Sequence, residues 1–357
     1  MISKIREKKS NMRYAKRKKI SAAKVASLAL TGLSITGLSL TCLCACGEPL
    51  PSGQNSALSA TKNIALTVDQ ESRIRTKILE SIAKADETKN AEMLKNVMSG
   101  PALAIRSSQI KVASVGNMDL DPTSVIPKES SQQIIPITTD FPRTFMTITT
   151  TTEDQQSQRL LVFKQESVTE NYKLWAVCRL VQNAKMPSFN VPATGSRVGA
   201  SDDSGLVMTP AAAVEAYTDL LNKQDESEYK SAFEDDSFRT QLMARSATIV
   251  TGLSQSGGVV ETDYAANAEN IQVIRDADGG DLAVAQIDLT ETRTVGSDRK
   301  SKPASAAENA LFSGETTSVL EAKYTAVVAL SIPKQGSEDS KIRIVAAEYH
   351  PVSIVAK

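Results

Sequence analysis

A chain of 357 residues, 41% of them hydrophobic, is long enough for about two ordinary domains, and with an aromatic share of 4% its cores must come from Val, Ile, Leu and Ala. The formal charge of zero averages two unlike pieces: residues 1–46 carry ten Lys and Arg against Glu7 alone, while the remainder holds 31 basic and 40 acidic residues, a net of −9. An acidic body lacks the clustered cation that displaces counterions from phosphate, which argues against nucleic acid as a partner. A single histidine, His350, leaves no base for a Ser-His-Asp or Cys-His arrangement elsewhere in the chain.

The basic start leads into an apolar stretch from Val25 to Ala45, followed by Gly47, Pro49 and Pro51. Such a stretch is long enough to cross a bilayer. Ser27, Thr31, Gly32, Ser34, Thr36, Gly37, Ser39 and Thr41 dilute it, and the order of charged, apolar and small residues is that of a secretory signal. At its end, Leu43-Cys44-Ala45-Cys46 resembles the bacterial lipobox, in which the last Cys takes a diacylglyceryl thioether and becomes the mature N-terminus. The resemblance implies a signal peptide over 1–45, lipidation at Cys46 and display on the outer face of the cytoplasmic membrane. At about 0.8 kcal/mol per buried CH₂, two acyl chains hold a protein on a bilayer stably. The competing reading of Cys42, Cys44 and Cys46 is as small apolar residues of a membrane segment.

Residues 46–66, rich in Pro, Gly, Ser and Asn, read as the lipidated end and a tether. Twenty such residues span roughly 25 Å. A second punctuated stretch near 183–205 divides the rest, so the expected plan is a first α+β domain over 67–185, a linker over 186–207 and a second α+β domain over 208–357. In the first, Ile74, Ile78, Leu79 and Ile82 recur at helical spacing, Met93, Leu94 and Val97 follow, and Leu103, Ile110 and Val112 mark a third run after Gly100-Pro101. Strands are expected over Ile134 to Ile137, from Arg143, from Arg159 and from Tyr172; Cys178, the one cysteine beyond the lipobox, reads as a buried small hydrophobe.

In the second domain Thr209 caps a helix with Pro210 at its first position, and another helix runs from Ser237 to Ile249. A hairpin turning at Asp276 to Asp281 follows, with Ala283, Ala285, Ile287 and Leu289 alternating in its second arm. Tyr324, Ala326, Val328, Leu330 and Ile332 alternate in turn, and a last strand closes the chain.

Helices followed by strands, twice over, give an α+β fold that resembles two tandem cones of the type named after nuclear transport factor 2. The strings "SGPALAIRSSQ" (99–109), "TTDFPRTFMTIT" (138–149) and "YKLWAVCRL" (172–180), with the lipobox, resemble a family of uncharacterised actinobacterial surface lipoproteins classed as a domain of unknown function. That resemblance implies no active site and no cofactor, and it leaves the partner as the membrane, through the lipid, with an envelope protein beside it.

Cones of this type sometimes hold a small ligand or an Asp/Tyr pair inside the sheet, and by position Tyr217, Phe238, Tyr324 and Tyr349 would line such a pocket; the same spacing equally predicts plain core. Asp276, Asp278 and Asp281 lack the twelve-residue spacing and terminal Glu of a calcium loop and read as a hairpin turn. His350 reads as a surface or half-buried strand residue, and the acidic run over 225–236 as a solvated connection between helices. The expectation is a non-enzymatic interaction or scaffold module of the cell envelope, with a small-molecule-binding lipoprotein as the alternative.

Overall fold

The computed structural model describes residues 63–151, 157–255, 257–267 and 270–357. The proposed signal peptide, Cys46 and most of the tether lie outside the described residues. No helix among the described residues is long and apolar enough to cross a membrane.

Helix α1 (Val68–Glu87) starts at a capping box: the Thr67 hydroxyl accepts from the Gln70 amide at 3.2 Å, and the Gln70 side chain accepts from the Thr67 amide at 2.8 Å. Ile78, Leu79 and Ile82 face the core. The run at Met93, Leu94 and Val97 is a short 3₁₀ segment, Ala91–Asn96, that ends before helix α2 (Gly100–Gly116). Gly100 has φ +54, and a Cβ there would stand 2.5 Å from Trp175 Nε1, so only glycine lets the helix start against that indole.

Strands β1 (Ser130–Ile134), β2 (Pro136–Ile137), β3 (Arg143–Thr149), β4 (Arg159–Gln165), β5 (Lys173–Leu180) and β6 (Ser196–Arg197) follow. The strand expected over Ile134 to Ile137 is split. β1 pairs with β3, whereas β2 starts at Pro136, which has no N–H to give a ladder, and turns away to pair with β6 in parallel. The stretch over 186–207 is thereby stitched down, with Ala277 N bonding Ser188 O at 2.8 Å and Gly199 N bonding Val273 O at 3.1 Å.

The second half has α3 (Pro210–Lys223), α4 (Ser237–Ser254), β7 (Val259–Ala266), β8 (Gln272–Arg275), β9 (Asp281–Thr294), α5 (Ala306–Leu311), β10 (Phe312–Ser313), β11 (Val319–Ile332) and β12 (Arg343–Ala356). Thr209 caps α3 as its hydroxyl accepts from Ala212 N. The hairpin turn is as its Asp and Gly residues predict: Arg275 pairs with Asp281, and the Asp276 carboxylate accepts from the amides of Asp278 and Gly280 at 2.9 and 2.8 Å.

The fold is α+β with one large sheet in the order β1-β3-β4-β5-β12-β11-β9-β7, antiparallel throughout that path; β8 adds to β9, and the short β10 pairs with β12 in parallel. β9 and β11 pair along their whole lengths, from Val319 opposite Thr294 to Ile332 opposite Asp281. β5 meets β12 through only two residue pairs, Ala346 with Leu180 and Ala347 with Arg179.

Side-chain alternation divides the core into layers. Phe145, Leu161, Phe163 and Leu174 face α1 and its 3₁₀ neighbour, while Ala283, Ala285, Ile287, Val328 and Leu330 face α3 and α4. Between them, Met146, Ile148, Leu160, Val162 and Cys178 of the first half pack on Leu282, Val284, Val327 and Ala329 of the second. The two halves of the sheet thus bury their remaining faces on each other. Cys178, fully buried there, has its thiol pushed up by desolvation.

Candidate functional site

The helix-facing row of β9 is apolar from Ala283 to Leu289 and then continues through Glu291 and Arg293, which point the same way because a strand alternates with period two. Both are almost fully buried. Tyr324 of β11, Tyr349 of β12 and Tyr264 of β7 stand on the same face, Arg245 descends from α4, and Glu308 arrives from α5.

The charges satisfy one another. Arg293 reaches Glu291 at 2.5 Å and grips Glu308 with two bonds of 2.6 and 2.9 Å; Arg245 reaches Glu291 at 2.8 Å and Glu308 at 3.2 Å. Glu308 also accepts from the Ala304 amide at 2.7 Å and from the Tyr324 hydroxyl. Two cations and two carboxylates sum to zero, which is the condition for keeping them out of water. The Arg245 guanidinium lies 4.5 Å from the Tyr324 ring centre, and Tyr324 stacks on Tyr349 at 5.0 Å.

Electrostatics holds Glu308 ionised and the three tyrosines neutral around neutral pH. Burial alone would raise the Glu308 carboxyl, but the bonds from Arg293, Tyr324 and the Ala304 amide outweigh it and hold it at about 2. Desolvation pushes the hydroxyls of Tyr324 and Tyr349 up, and that of Tyr264 up to about 12. The cluster suits a rigid strut under α4 better than a proton relay.

Beside it, between the start of α4 and the β12–β5 junction, lies a cleft of about 300 Å³ walled by Phe238, Gln241, Tyr349 and Gln182, with the ion pair of Arg179 and Glu348 at its edge. A smaller cleft of about 160 Å³ shares Val181, Gln182 and Ser237 with it and reaches Asp236 and Arg343. Tyr217 donates to Asp236 at 3.1 Å, and the same carboxylate oxygen caps α4 by accepting from Arg239 N at 2.7 Å. The second oxygen of Asp236 is buried without a hydrogen bond, and desolvation raises its carboxyl.

The four aromatic candidates therefore separate. Phe238 and Tyr349 line the larger cleft, Tyr324 backs Tyr349 from inside the ion cluster, and Tyr217 is core that touches Asp236. His350 is half-buried on β12 opposite Thr325, with Nε2 sealed off from partners. Asp281 is held by Arg275 at 3.0 Å, and Asp276 by the turn amides. In the acidic run, Asp225 and Asp235 are exposed as expected, but Asp236 is buried as the α4 cap. Sequence reasoning missed Arg245, Glu291, Arg293 and Glu308. The signal was present for two of them, since Glu291 and Arg293 occupy the buried positions of an alternating strand.

Among known families, one described as a domain of unknown function (DUF8094) matches residues 76–351. No curated protein and no solved structure matches the chain.

Proposed function

The chain belongs to the DUF8094 family, and from that premise we propose that it is a lipid-anchored, extracytoplasmic interaction module of a Gram-positive cell envelope, of the actinobacterial surface-lipoprotein type, without catalytic activity. The observation that carries the reading is Leu43-Cys44-Ala45-Cys46 at the end of a basic and then apolar leader. On this reading Cys46 bears the lipid, residues 46–66 form the tether, and the partners are the bilayer and an envelope protein. The back-to-back halves are consistent with two cones of the nuclear-transport-factor-2 type, each with its helices on one face of its part of the sheet.

Radiolabelled palmitate should enter the protein in the native host, globomycin should block its maturation, and Cys46→Ala should abolish the labelling. Labelling that survives Cys46→Ala removes the anchor from the proposal.

A second reading, a small-molecule-binding lipoprotein, is favoured by the cleft under Phe238 and Tyr349. Native mass spectrometry of the membrane-extracted protein would then show a bound small molecule that Gln241→Trp, which fills the cleft, displaces. A wild-type spectrum with no added mass would dispose of this alternative.

A further inference from the structure

β7 ends the large sheet, and its outer edge is open over part of its length. The ladder to β9 fixes which groups face outward. Asn267 N bonds Gln286 O, and Tyr264 directs both its backbone groups away from β9, its carbonyl accepting from Asn222 Nδ2 at 2.8 Å and its amide donating to Asn222 Oδ1 at 2.9 Å. In an antiparallel pair such outward residues alternate, so Val260 and Thr262 also present N–H and C=O outward. Among the described residues no hydrogen bond reaches those four groups. Asn222, at the end of α3, bonds Tyr264 as a neighbouring strand residue would, and so marks where an added strand stops.

The side chains of Val260, Thr262 and Tyr264 border a cleft of about 170 Å³ with a mixed far side, where Leu221, Leu242 and Val250 stand beside Asn222 and Ser246. On the opposite face of the same strand, Glu261 and Asp263 are exposed, stand across from Thr292 and Thr290, and form no ion pair among the described residues. We propose that the free edge of β7 from Val259 to Asp263 binds an extended peptide as an added strand, one whose side chains alternate apolar, toward the cleft, and basic, toward Glu261 and Asp263; at its start the Gly258 amide is already taken by Leu253 O at 2.9 Å. A second copy of this chain fits worse: antiparallel pairing of β7 with itself would set Glu261 and Asp263 against their own like charges. The proposal rests on the reading of the protein as an interaction module and gives that module its contact surface.

The test uses the full chain in detergent and a fluorescein-labelled heptapeptide alternating lysine and valine. Fluorescence anisotropy should show saturable binding, weakened about tenfold or more when the valine amides are N-methylated or glutamate replaces lysine. On saturation, amide exchange should slow at Val260 and Thr262. Thr262→Pro removes one outward donor without touching the β9 ladder and should weaken binding similarly, while Glu261→Lys with Asp263→Lys should reverse the preference to the glutamate peptide. Equal binding of the N-methylated peptide, unchanged exchange at Val260 and Thr262, or no binding of any peptide each overturns the proposal. Cys46→Ala, which tests the anchor, should leave peptide binding intact, so the two readings fail separately.

Discussion

His350 is the only imidazole in the chain, and its environment sets a measurable property. Burial on β12 disfavours the charged ring, opposed in part by Asp121, and lowers its pKa from 6.5 to about 4. The sign follows from linkage: the unfolded chain takes up the proton first, so the stabilising contribution is complete above 6.5 and is lost as pH falls through about 4. The loss amounts to about 3 kcal/mol. A proton NMR titration should show one imidazole with its midpoint well below 6.5, and a midpoint at the ordinary value would mean that the ring is solvated.

At the scale of elements, α5 has six residues, too few to be stable in isolation, and its attachment comes through Glu308 and Leu311. Glu308 joins α5 to β9 through Arg293, to α4 through Arg245 and to β11 through Tyr324, so this one carboxylate ties four elements together. Glu308→Ala leaves the Arg293 guanidinium buried without its two-bond partner and should cost about 3–5 kcal/mol, read from urea unfolding followed by the fluorescence of Trp175. In the intact protein Glu308 adds a second acid-sensitive contribution. Its carboxyl lies at about 2 against 4.5 when free, so that contribution is present above 4.5 and fades as pH falls toward 2. Unfolding free energy measured against pH should therefore carry two overlapping acid-sensitive contributions, the upper one absent in His350→Gln and the lower one in Glu308→Ala.

For the molecule as a whole, the decisive feature is the central layer. Cores confined to each half would let the halves unfold independently, but Met146, Leu160 and Val162 pack on Leu282, Val284 and Val327, and β5 hydrogen-bonds to β12. Unfolding one half would expose the apolar inner face of the other. Trp175, the single tryptophan, reports on the first half, and amide exchange along β9 and β11 reports on the second. Denaturation should give coincident midpoints for the two probes. Two separated transitions would show that the shared layer contributes little to cooperativity.

What sequence alone determined is local in its physics. Thr209-Pro210 marks the start of α3 because capping and a fixed φ act within one turn. Alternation located the inward rows of β9 and β11, and Asp with Gly located the hairpin between β8 and β9. β7 escaped notice: its eight residues mix Val and Ala with the exposed acids Glu261 and Asp263, so no apolar run marks it. Tertiary structure alone decided that the two inner sheet faces meet, that Tyr324 and Tyr349 stack over an ion cluster, and that Glu291 and Arg293 find Arg245 and Glu308. The physical reason is separation along the chain. A charge on a buried row carries no sign of its partner in the residues beside it, and a strand apolar on both faces shows that each is covered but not by what.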